Sequence, residues 1–234
     1  MPTLIDRLPK GTGALPPRRP IGRRWFTCGL VLSLGILLAG CGDRGKWYSI
    51  DVSGSLPPLS FTMTRAVDGG KVTAADYRGK IVVLYFGYTQ CPDECPTTVS
   101  NLSQVLSQIG RSARQVRVLF VTVDPHRDTA PVLAAYVGNF APQIVGLRGT
   151  PDELARLARR YRVFYSVTPA SDGHPYEVTH SSAVYVFDRS GAARLIIASL
   201  DTVKPDLAGT TADLERLVSA GHAPSAAARV LGLL

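Results

Sequence analysis

Cysteine is scarce in this chain of 234 residues, and its placement excludes a fold held together by disulfide bonds. Of the four cysteines, Cys28 and Cys41 lie near the N-terminus, whereas Cys91 and Cys95 lie in the globular part of the sequence. Exported domains that depend on disulfides are rich in cysteine. A single close pair of thiols therefore indicates either a redox pair or a site for a metal ion that prefers sulfur.

The sequence also lacks an apolar run that would cross a membrane comfortably. The run from Phe26 to Ala39 is shorter than the roughly 20 residues that a transmembrane helix needs. It follows the basic segment Arg18–Arg24 and ends in Leu38-Ala39-Gly40-Cys41, which resembles the lipobox of bacterial lipoproteins. This order of basic, apolar and small residues predicts a signal peptide over residues 1–40.

A cleaved and lipidated N-terminus places the protein in the bacterial cell envelope. We expect lipid on Cys41, a short polar tether over residues 41–49 and a globular domain on the periplasmic side of the inner membrane. An uncleaved membrane anchor is the alternative, because a short apolar run by itself does not distinguish the two.

A basic surface for nucleic acid is also missing, although the formal net charge of the chain is +8. Six of the 26 lysines and arginines but only one of the 18 acidic residues lie in residues 1–40, so the remainder carries about +3. No basic stripe interleaved with aromatic residues is left there. The composition therefore argues against a nucleic-acid partner.

Strand and helix patterns alternate over residues 50–220, which predicts one α/β domain with a mixed central sheet flanked by helices. The runs Ile81–Phe86 and Val116–Val123 are almost wholly apolar, as is typical of buried central strands. An N-terminal hairpin is expected about Asp68-Gly69-Gly70, and residues 221–234 are expected to form a loose tail. The predicted helices cover residues 97–109, 129–140, 150–161 and 211–220, and a second hairpin turns at 189–191.

Cys91 and Cys95 lie between the first central strand and the helix that follows it, which is the arrangement of the thioredoxin fold. If Cys95 lies in the first helical turn, both sulfur atoms can face the same side. The partial positive charge at a helix N-terminus is expected to lower the pKa of the thiols. The three intervening residues, one more than thioredoxin-like redox enzymes usually have, favour a shared metal ion.

A third ligand should come from one of the four histidines. His180 is the best candidate, because it lies in Glu177–Ser182, a predicted loop that faces the cysteines in thioredoxin-like folds. His174 and His222 are expected to be surface residues. His126 follows the second central strand, and it is a possible neighbour of the cysteines.

Two thiolates and one imidazole suit Cu(I), and they can also hold Cu(II) or Zn(II). Structural zinc sites have a fourth protein ligand, and none is suitably spaced here. Asp124 and Asp128 flank the same edge of the predicted sheet. They are candidates for outer groups that hold the loop geometry or orient His180, whereas turn and helix-cap roles are the alternative.

At these residues the chain resembles the Sco/SenC family of copper-binding assembly proteins. The motifs that carry the resemblance are Gly87-Tyr88-Thr89, Cys91-Pro92-Asp93-Glu94-Cys95-Pro96, Asp124-Pro125-His126-Arg127-Asp128-Thr129 and His180-Ser181. The resemblance covers residues 50–220. It implies a thioredoxin-like fold in which Cys91, Cys95 and His180 hold a copper ion. It also implies a role in maturing the dinuclear copper centre, CuA, of cytochrome c oxidase.

The leading hypothesis is a membrane-tethered copper metallochaperone whose thiols also undergo thiol–disulfide exchange. Its partners would be the copper-bearing subunit of cytochrome c oxidase or other copper chaperones. A metal-free thiol–disulfide oxidoreductase and a copper or redox sensor stay open as alternatives. A thiol peroxidase is excluded, because Leu84 and Tyr88 occupy the places of its proline and threonine.

Overall fold

A computed structural model describes residues 45–220 of the chain. The predicted signal peptide, Cys41, His222 and the predicted tail lie outside the described residues. The strands are β1 Ile50–Asp51, β2 Thr62–Arg65, β3 Lys71–Thr73, β4 Ile81–Gly87, β5 Val116–Thr122, β6 Ile144–Arg148, β7 Tyr165–Thr168, β8 Glu177–His180, β9 Val184–Phe187 and β10 Ala193–Ile197. The α-helices are α1 Glu94–Ile109, α2 Ala130–Gly138, α3 Pro151–Tyr161 and α4 Leu207–Ala220. Two short 3₁₀ helices cover Ala74–Tyr77 and Gly110–Gln115.

Eight strands form one mixed sheet in the order β1-β10-β9-β4-β5-β6-β2-β3. Strands β4, β5 and β6 are parallel, and β9 and β10 add to them as an antiparallel hairpin. The N-terminal hairpin of β2 and β3 joins the other side through an antiparallel pairing of β2 with β6. The predicted thioredoxin-like α/β fold with a mixed sheet and two hairpins is therefore confirmed.

The core follows from the apolar runs that the sequence contains. Every residue of β4 is buried, and so is every residue of β5 except Arg117. Central parallel strands are covered on both faces, so their side chains are apolar in succession and do not alternate with polar ones. Phe86, Phe120 and Phe187 are among the largest side chains that are fully buried.

Helices α2 and α3 begin where their capping residues predict, whereas the last helix, α4, begins at Leu207, four residues before its predicted start. Thr150 accepts a hydrogen bond from the Glu153 amide, and the Glu153 carboxylate accepts one from the Thr150 amide, which forms a capping box for α3. Helix α2 starts after Thr129 with a proline in its first turn. Helix α1 begins at Glu94, three residues before the predicted start, so Cys95 lies in its first turn.

His180 lies in a small sheet of two short strands, of which the sequence predicts an extended segment over residues 163–167 but not the second strand. Strand β7 pairs antiparallel with β8 to form a separate two-stranded sheet, and His180 is the last residue of β8 and not part of a loop. Each strand has only four residues, and half-buried and exposed positions alternate without a run of apolar side chains. The pairing is decided by contacts across the intervening turn, which no local pattern indicates.

The last residues of the predicted tether are held against the domain. The carboxylate of Asp213, in α4, accepts hydrogen bonds from the amides of Tyr48 and Ser49 at 3.1 and 2.7 Å. The guanidinium of Arg216 lies 3.9 Å from the ring centroid of Trp47. Within residues 45–220, no helix is both long and apolar enough to cross a membrane.

The parallel pairing of β4 with β5 brings their carboxyl ends together, because Gly87 is paired with Thr122. The amide of Val123 donates a hydrogen bond of 2.8 Å to the carbonyl of Gly87. The loops that follow these strands, one with the cysteines and one with Asp124 and Asp128, therefore start side by side.

Gly87 is the position at this edge that does not accept a side chain. A Cβ atom there would lie 2.9 Å from the ring of Phe120 and 3.0 Å from the sulfur of Cys95, both of them buried. We predict that Gly87→Ala lowers the free energy of unfolding of the reduced protein by about 1–3 kcal/mol, because a buried ring must shift. Urea denaturation measures this change.

Gly138→Ala is the matched control. Gly138 is the last residue of α2, and a Cβ atom there meets no heavy atom within 4 Å. We expect this substitution to be neutral or to stabilise the protein by up to about 1 kcal/mol. Equal effects of the two substitutions would contradict the close packing at Gly87.

Candidate metal centre

Three donor side chains from distant parts of the chain meet at the carboxyl end of β4. One ligand atom each from Cys91, Cys95 and His180 lie within 4.8 Å of one another. The sulfur of Cys95 is 3.2 Å from Nε2 of His180, and the amide of Cys95 donates a hydrogen bond of 3.3 Å to the sulfur of Cys91. Both thiols are free, and no other such group of donors occurs among residues 45–220.

The hydrogen bond on the far side of the imidazole determines which ring nitrogen of His180 carries the proton. Nδ1 of His180 lies 3.0 Å from the carbonyl oxygen of Ser181, which can only accept a hydrogen bond. Nδ1 must therefore carry the proton, and in the neutral ring Nε2 has a free lone pair. That lone pair points to the sulfur of Cys95, as a metal-ligating histidine requires.

The two sulfur atoms differ in exposure and in acidity. Cys91 is half-buried, whereas Cys95 is completely buried in the first turn of α1. Burial raises the pKa of Cys95 to about 12. The expectation that the helix N-terminus lowers the thiol pKa is therefore wrong for Cys95 in the metal-free protein, because desolvation of the thiolate outweighs it.

Two tyrosines from β4 and the residue after it enclose the imidazole. The rings of Tyr85 and Tyr88 meet the ring of His180 edge to face, with centroid distances of 6.1 and 5.8 Å. Burial, followed by the neighbouring Cys91, raises the pKa of Tyr88 to about 12, and burial also raises the pKa of Tyr85. Both rings therefore stay neutral phenols and restrict the orientation of the imidazole.

The donors open onto a cleft of about 360 Å³. Its walls come from the cysteine loop and from β8, and it is lined by Tyr88, Cys91, Pro92, Asp93, Glu94, Val178, Thr179 and His180. The side chains of Asp93 and Glu94 are exposed at its edge. Cys91 and His180 are thus reachable from outside, whereas Cys95 is covered.

Asp128 holds the loop that leads to Cys91. Its buried carboxylate accepts hydrogen bonds from the Thr89 amide at 3.0 Å, the Thr89 hydroxyl at 2.6 Å and the Thr122 hydroxyl at 2.5 Å. It does not cap α2, where Thr129 is the N-cap residue. The alternative role of Asp128 as a helix cap is therefore wrong, and its contacts maintain loop geometry.

Asp124 connects its own loop to the hairpin of β7 and β8. Its carboxylate, which is 1% exposed, accepts hydrogen bonds from Nε of Arg127 and from the hydroxyl of Tyr176, the latter at 2.8 Å. Neither Asp124 nor Asp128 makes a hydrogen bond to His180. Any influence on the imidazole is therefore indirect.

The other histidines are not part of the donor group. His126 follows β5 as expected, but its side chain is exposed and it is not among the clustered donors. His174 is exposed in the turn between β7 and β8, where its backbone pairs with Ser171. His222 lies outside the described residues.

Comparison with known families leads to the same group of proteins as the motifs do. The model of the SCO1/SenC family matches residues 59–218, more than half of the chain. The chain belongs to the SCO1/SenC family. Its SCO1/SenC region contains all three clustered donors and both aspartates.

The sequence similarity to known relatives covers only a part of each relative's length. The mitochondrial protein SCO2 homolog of Bos taurus is 44% identical over 119 residues, which are 50% of this chain and 45% of that protein. The mitochondrial protein SCO1 homolog of Homo sapiens is 38% identical over 125 residues, which are 53% of this chain and 42% of that protein. The chain therefore spans less than half the length of these two relatives.

Solved structures of the family have the same fold. ScoI of Bradyrhizobium japonicum with copper bound is 35% identical, with a TM-score of 0.60 over 68% of this chain and 98% of that chain. ScoI of Arabidopsis thaliana with copper bound is 32% identical, with a TM-score of 0.61 over 70% and 98% of the two chains. Both comparisons cover almost the whole of the solved domain.

The sequence indicates the donors but not the side chains that surround them. Tyr88 and Arg127 lie within the motifs, yet the motifs do not show what these residues contact. Tyr176 lies 52 residues after Asp124 in the chain and carries no local signal. Only the pairing of β7 with β8 makes it a neighbour of the site.

The unequal burial of the thiols predicts unequal alkylation. At pH 8 a thiol with a pKa of about 12 is ionised to roughly one part in 10⁴. We expect iodoacetamide to modify Cys91 of the reduced, metal-free protein at least about a hundredfold faster than Cys95. Mass spectrometry of the two peptides over time measures both rates.

Unfolding in urea is the control for this experiment. Both thiols are then solvated, and we expect their rates of alkylation to become similar. Equal rates in the folded protein would contradict the burial of Cys95.

Proposed function

We propose that the protein is a copper-binding metallochaperone in which Cys91, Cys95 and His180 are the ligands. The observation that carries this proposal is the convergence of two sulfur atoms and an imidazole Nε2 with a free lone pair. The family relatives solved with copper bound support the choice of metal.

The chemistry of the donor set favours copper over harder metals. Thiolates and imidazole prefer Cu(I) and also accept Cu(II), whereas Mg²⁺ and Ca²⁺ prefer oxygen ligands. No fourth cysteine, histidine or carboxylate joins the cluster among the described residues, so the complete tetrahedral set of a structural zinc site is missing.

The exposure of the site suits an ion that is transferred to another protein. Cys91 and His180 line an open cleft, so a ligand from another protein can reach an ion held there. Cys95 anchors the site from within. A resident structural metal is usually enclosed by its ligands, and this one would be accessible from one side.

Thiol–disulfide exchange belongs to the same proposal. Cys91 and Cys95 are four residues apart and their sulfur atoms belong to one cluster, so a disulfide between them needs little movement. A disulfide removes both thiolates, and copper binding therefore requires the reduced pair. The chain would then bind copper only after reduction by a thiol donor.

A metal-free oxidoreductase needs the two sulfur atoms alone. Here a third donor contacts the buried sulfur, and its tautomer is set by the Ser181 carbonyl. This additional organisation favours metal binding over the metal-free alternative. A sensor would share every one of these residues and differ only in its partner.

The recipient that we propose is the copper-bearing subunit of cytochrome c oxidase, where the ion would serve the CuA centre. The family membership and the motifs support this proposal.

The ligand assignment predicts a selective effect of one histidine. We expect His180→Ala to weaken copper binding by at least about tenfold, because changes to outer-shell partners alone typically cost roughly 10–100-fold. The sulfur-to-copper charge-transfer absorption of the Cu(II) form should also shift or bleach. Titration of the reduced protein with copper, followed by absorption spectroscopy, measures both effects.

His126→Ala and His174→Ala are the matched controls, because both side chains are exposed and lie outside the donor group. They should leave affinity and spectrum unchanged. The wild-type protein should lose copper when its thiols are oxidised and regain it with a reductant. Loss of the spectrum in His126→Ala but not in His180→Ala would overturn the assignment.

We also propose that lipid on Cys41 holds the domain at the periplasmic face of the inner membrane. Cys41→Ser should release the protein from the membrane fraction or prevent cleavage of the signal peptide, because the thiol is the site of attachment. Metabolic labelling with a radioactive fatty acid and cell fractionation test this. Cys28→Ser is the control and should leave labelling intact, whereas an unlabelled wild-type chain would favour an uncleaved anchor.

A further inference from the structure

The small sheet that carries His180 is attached to the domain at few points. Its strands pair with each other and with no strand of the main sheet. At its base, the amide of Ser181 donates to the carbonyl of Phe164 at 2.9 Å, and the amide of Phe164 donates to the hydroxyl of Ser181 at 3.1 Å. Tyr165 and Val178 also pack against the core, so the position of His180 depends on these contacts together with what fixes the other end of the small sheet.

Tyr176, directly before β8, provides that attachment. Its hydroxyl donates a hydrogen bond of 2.8 Å to Oδ1 of Asp124. The guanidinium of Arg127 lies 3.9 Å from the centroid of its ring. The side chain of Tyr176 thus makes both a hydrogen bond to a carboxylate and a cation–π contact.

Arg127 joins the hairpin to the cysteine loop. Its Nε donates to Oδ2 of Asp124, and its Nη1 donates to Oε1 of Gln90, the residue before Cys91, at 3.1 Å. The guanidinium also lies 5.8 Å from the centroid of Tyr88, whose ring contacts His180. The planar fork of arginine permits these contacts at the same time, which a lysine ammonium does not.

The buried carboxylate of Asp124 makes this arrangement costly to break. It is 1% exposed, and its side-chain partners are Arg127 and Tyr176. Removal of Tyr176 leaves Oδ1 of the buried carboxylate without its side-chain donor, and removal of Arg127 leaves the buried charge without its ion pair, so in either case the remaining groups must rearrange or admit water. The three residues are therefore coupled to one another.

We propose that Asp124, Arg127 and Tyr176 form a latch that keeps His180 against Cys95 and whose opening controls the release of a bound ion. The latch residues are positioning residues, because none of them contacts the donor atoms. Opening would let β8 move away from the cysteine loop and withdraw the imidazole, while both sulfur atoms stay on the main domain. The part that concerns release rests on the proposed copper-binding function.

Hydrogen exchange of the reduced, metal-free protein tests the latch without any metal. We expect Tyr176→Phe, which keeps the ring but removes the hydroxyl, to speed amide exchange in residues 177–180 by about tenfold, as the loss of one hydrogen bond to a charged group implies. Tyr176→Ala should have a larger effect, because it also removes the ring under Arg127. Exchange in β4 and β5 should not change.

Tyr165→Phe is the matched control in the same small sheet. Tyr165 lies in β7, and its hydroxyl makes no hydrogen bond to any residue of the described range 45–220. This variant should exchange like the wild-type protein. If Tyr176→Ala exchanges like the wild-type protein, or if exchange rises equally in all strands, the latch is refuted.

Transfer of Cu(I) from the loaded protein to the chelator bicinchoninate tests whether the latch controls the release of the ion. We expect transfer to be fastest from Tyr176→Ala, intermediate from Tyr176→Phe and unchanged for Tyr165→Phe. Equal rates for all variants, despite faster exchange, would refute the control of release. A wild-type protein that takes up no Cu(I) would refute the proposed function, and the exchange data would still decide whether the latch exists.

Discussion

The parallel pairing of β4 with β5 is the constraint on which the site depends. Their residue-by-residue pairing from Ile81 with Val116 to Gly87 with Thr122 ends both strands at the same level. Two loops with chemically active side chains consequently leave the sheet side by side. Gly87 has no side chain, so the ring of Phe120 and the sulfur of Cys95 can pack directly against this edge.

The two cysteines have different surroundings and therefore different chemical properties. Cys95 is buried, and as a free thiol it is held protonated by the cost of burying a charge. A bound cation would remove that cost, so metal binding there must release a proton. Cys91 lies in the open cleft, where another molecule can reach it. In the proposed function, the sulfur of Cys95 would hold the ion, and the sulfur of Cys91 would be available for exchange.

The imidazole and the two sulfur atoms belong to different sheets of the structure. His180 ends a strand of the small sheet, whereas the cysteines are attached to the main sheet and to α1. Elements with few attachments open at low free energy. A donor set divided in this way suits the proposed function, in which the protein both binds and releases an ion.

The sequence by itself determined the α/β fold, the buried strands β4 and β5, the capped start of α3 and the pair of close cysteines after β4. The cysteine pair spans the start of α1, with Cys95 inside its first turn. These features depend on neighbouring residues, so apolar runs, capping residues and close spacing reveal them. The burial that raises the pKa of Cys95 and the pairing of β7 with β8 were decided only by the tertiary structure. The contact of Tyr176 with Asp124 joins residues that are 52 positions apart. Such contacts depend on how whole helices and strands pack, and no local sequence pattern indicates this packing.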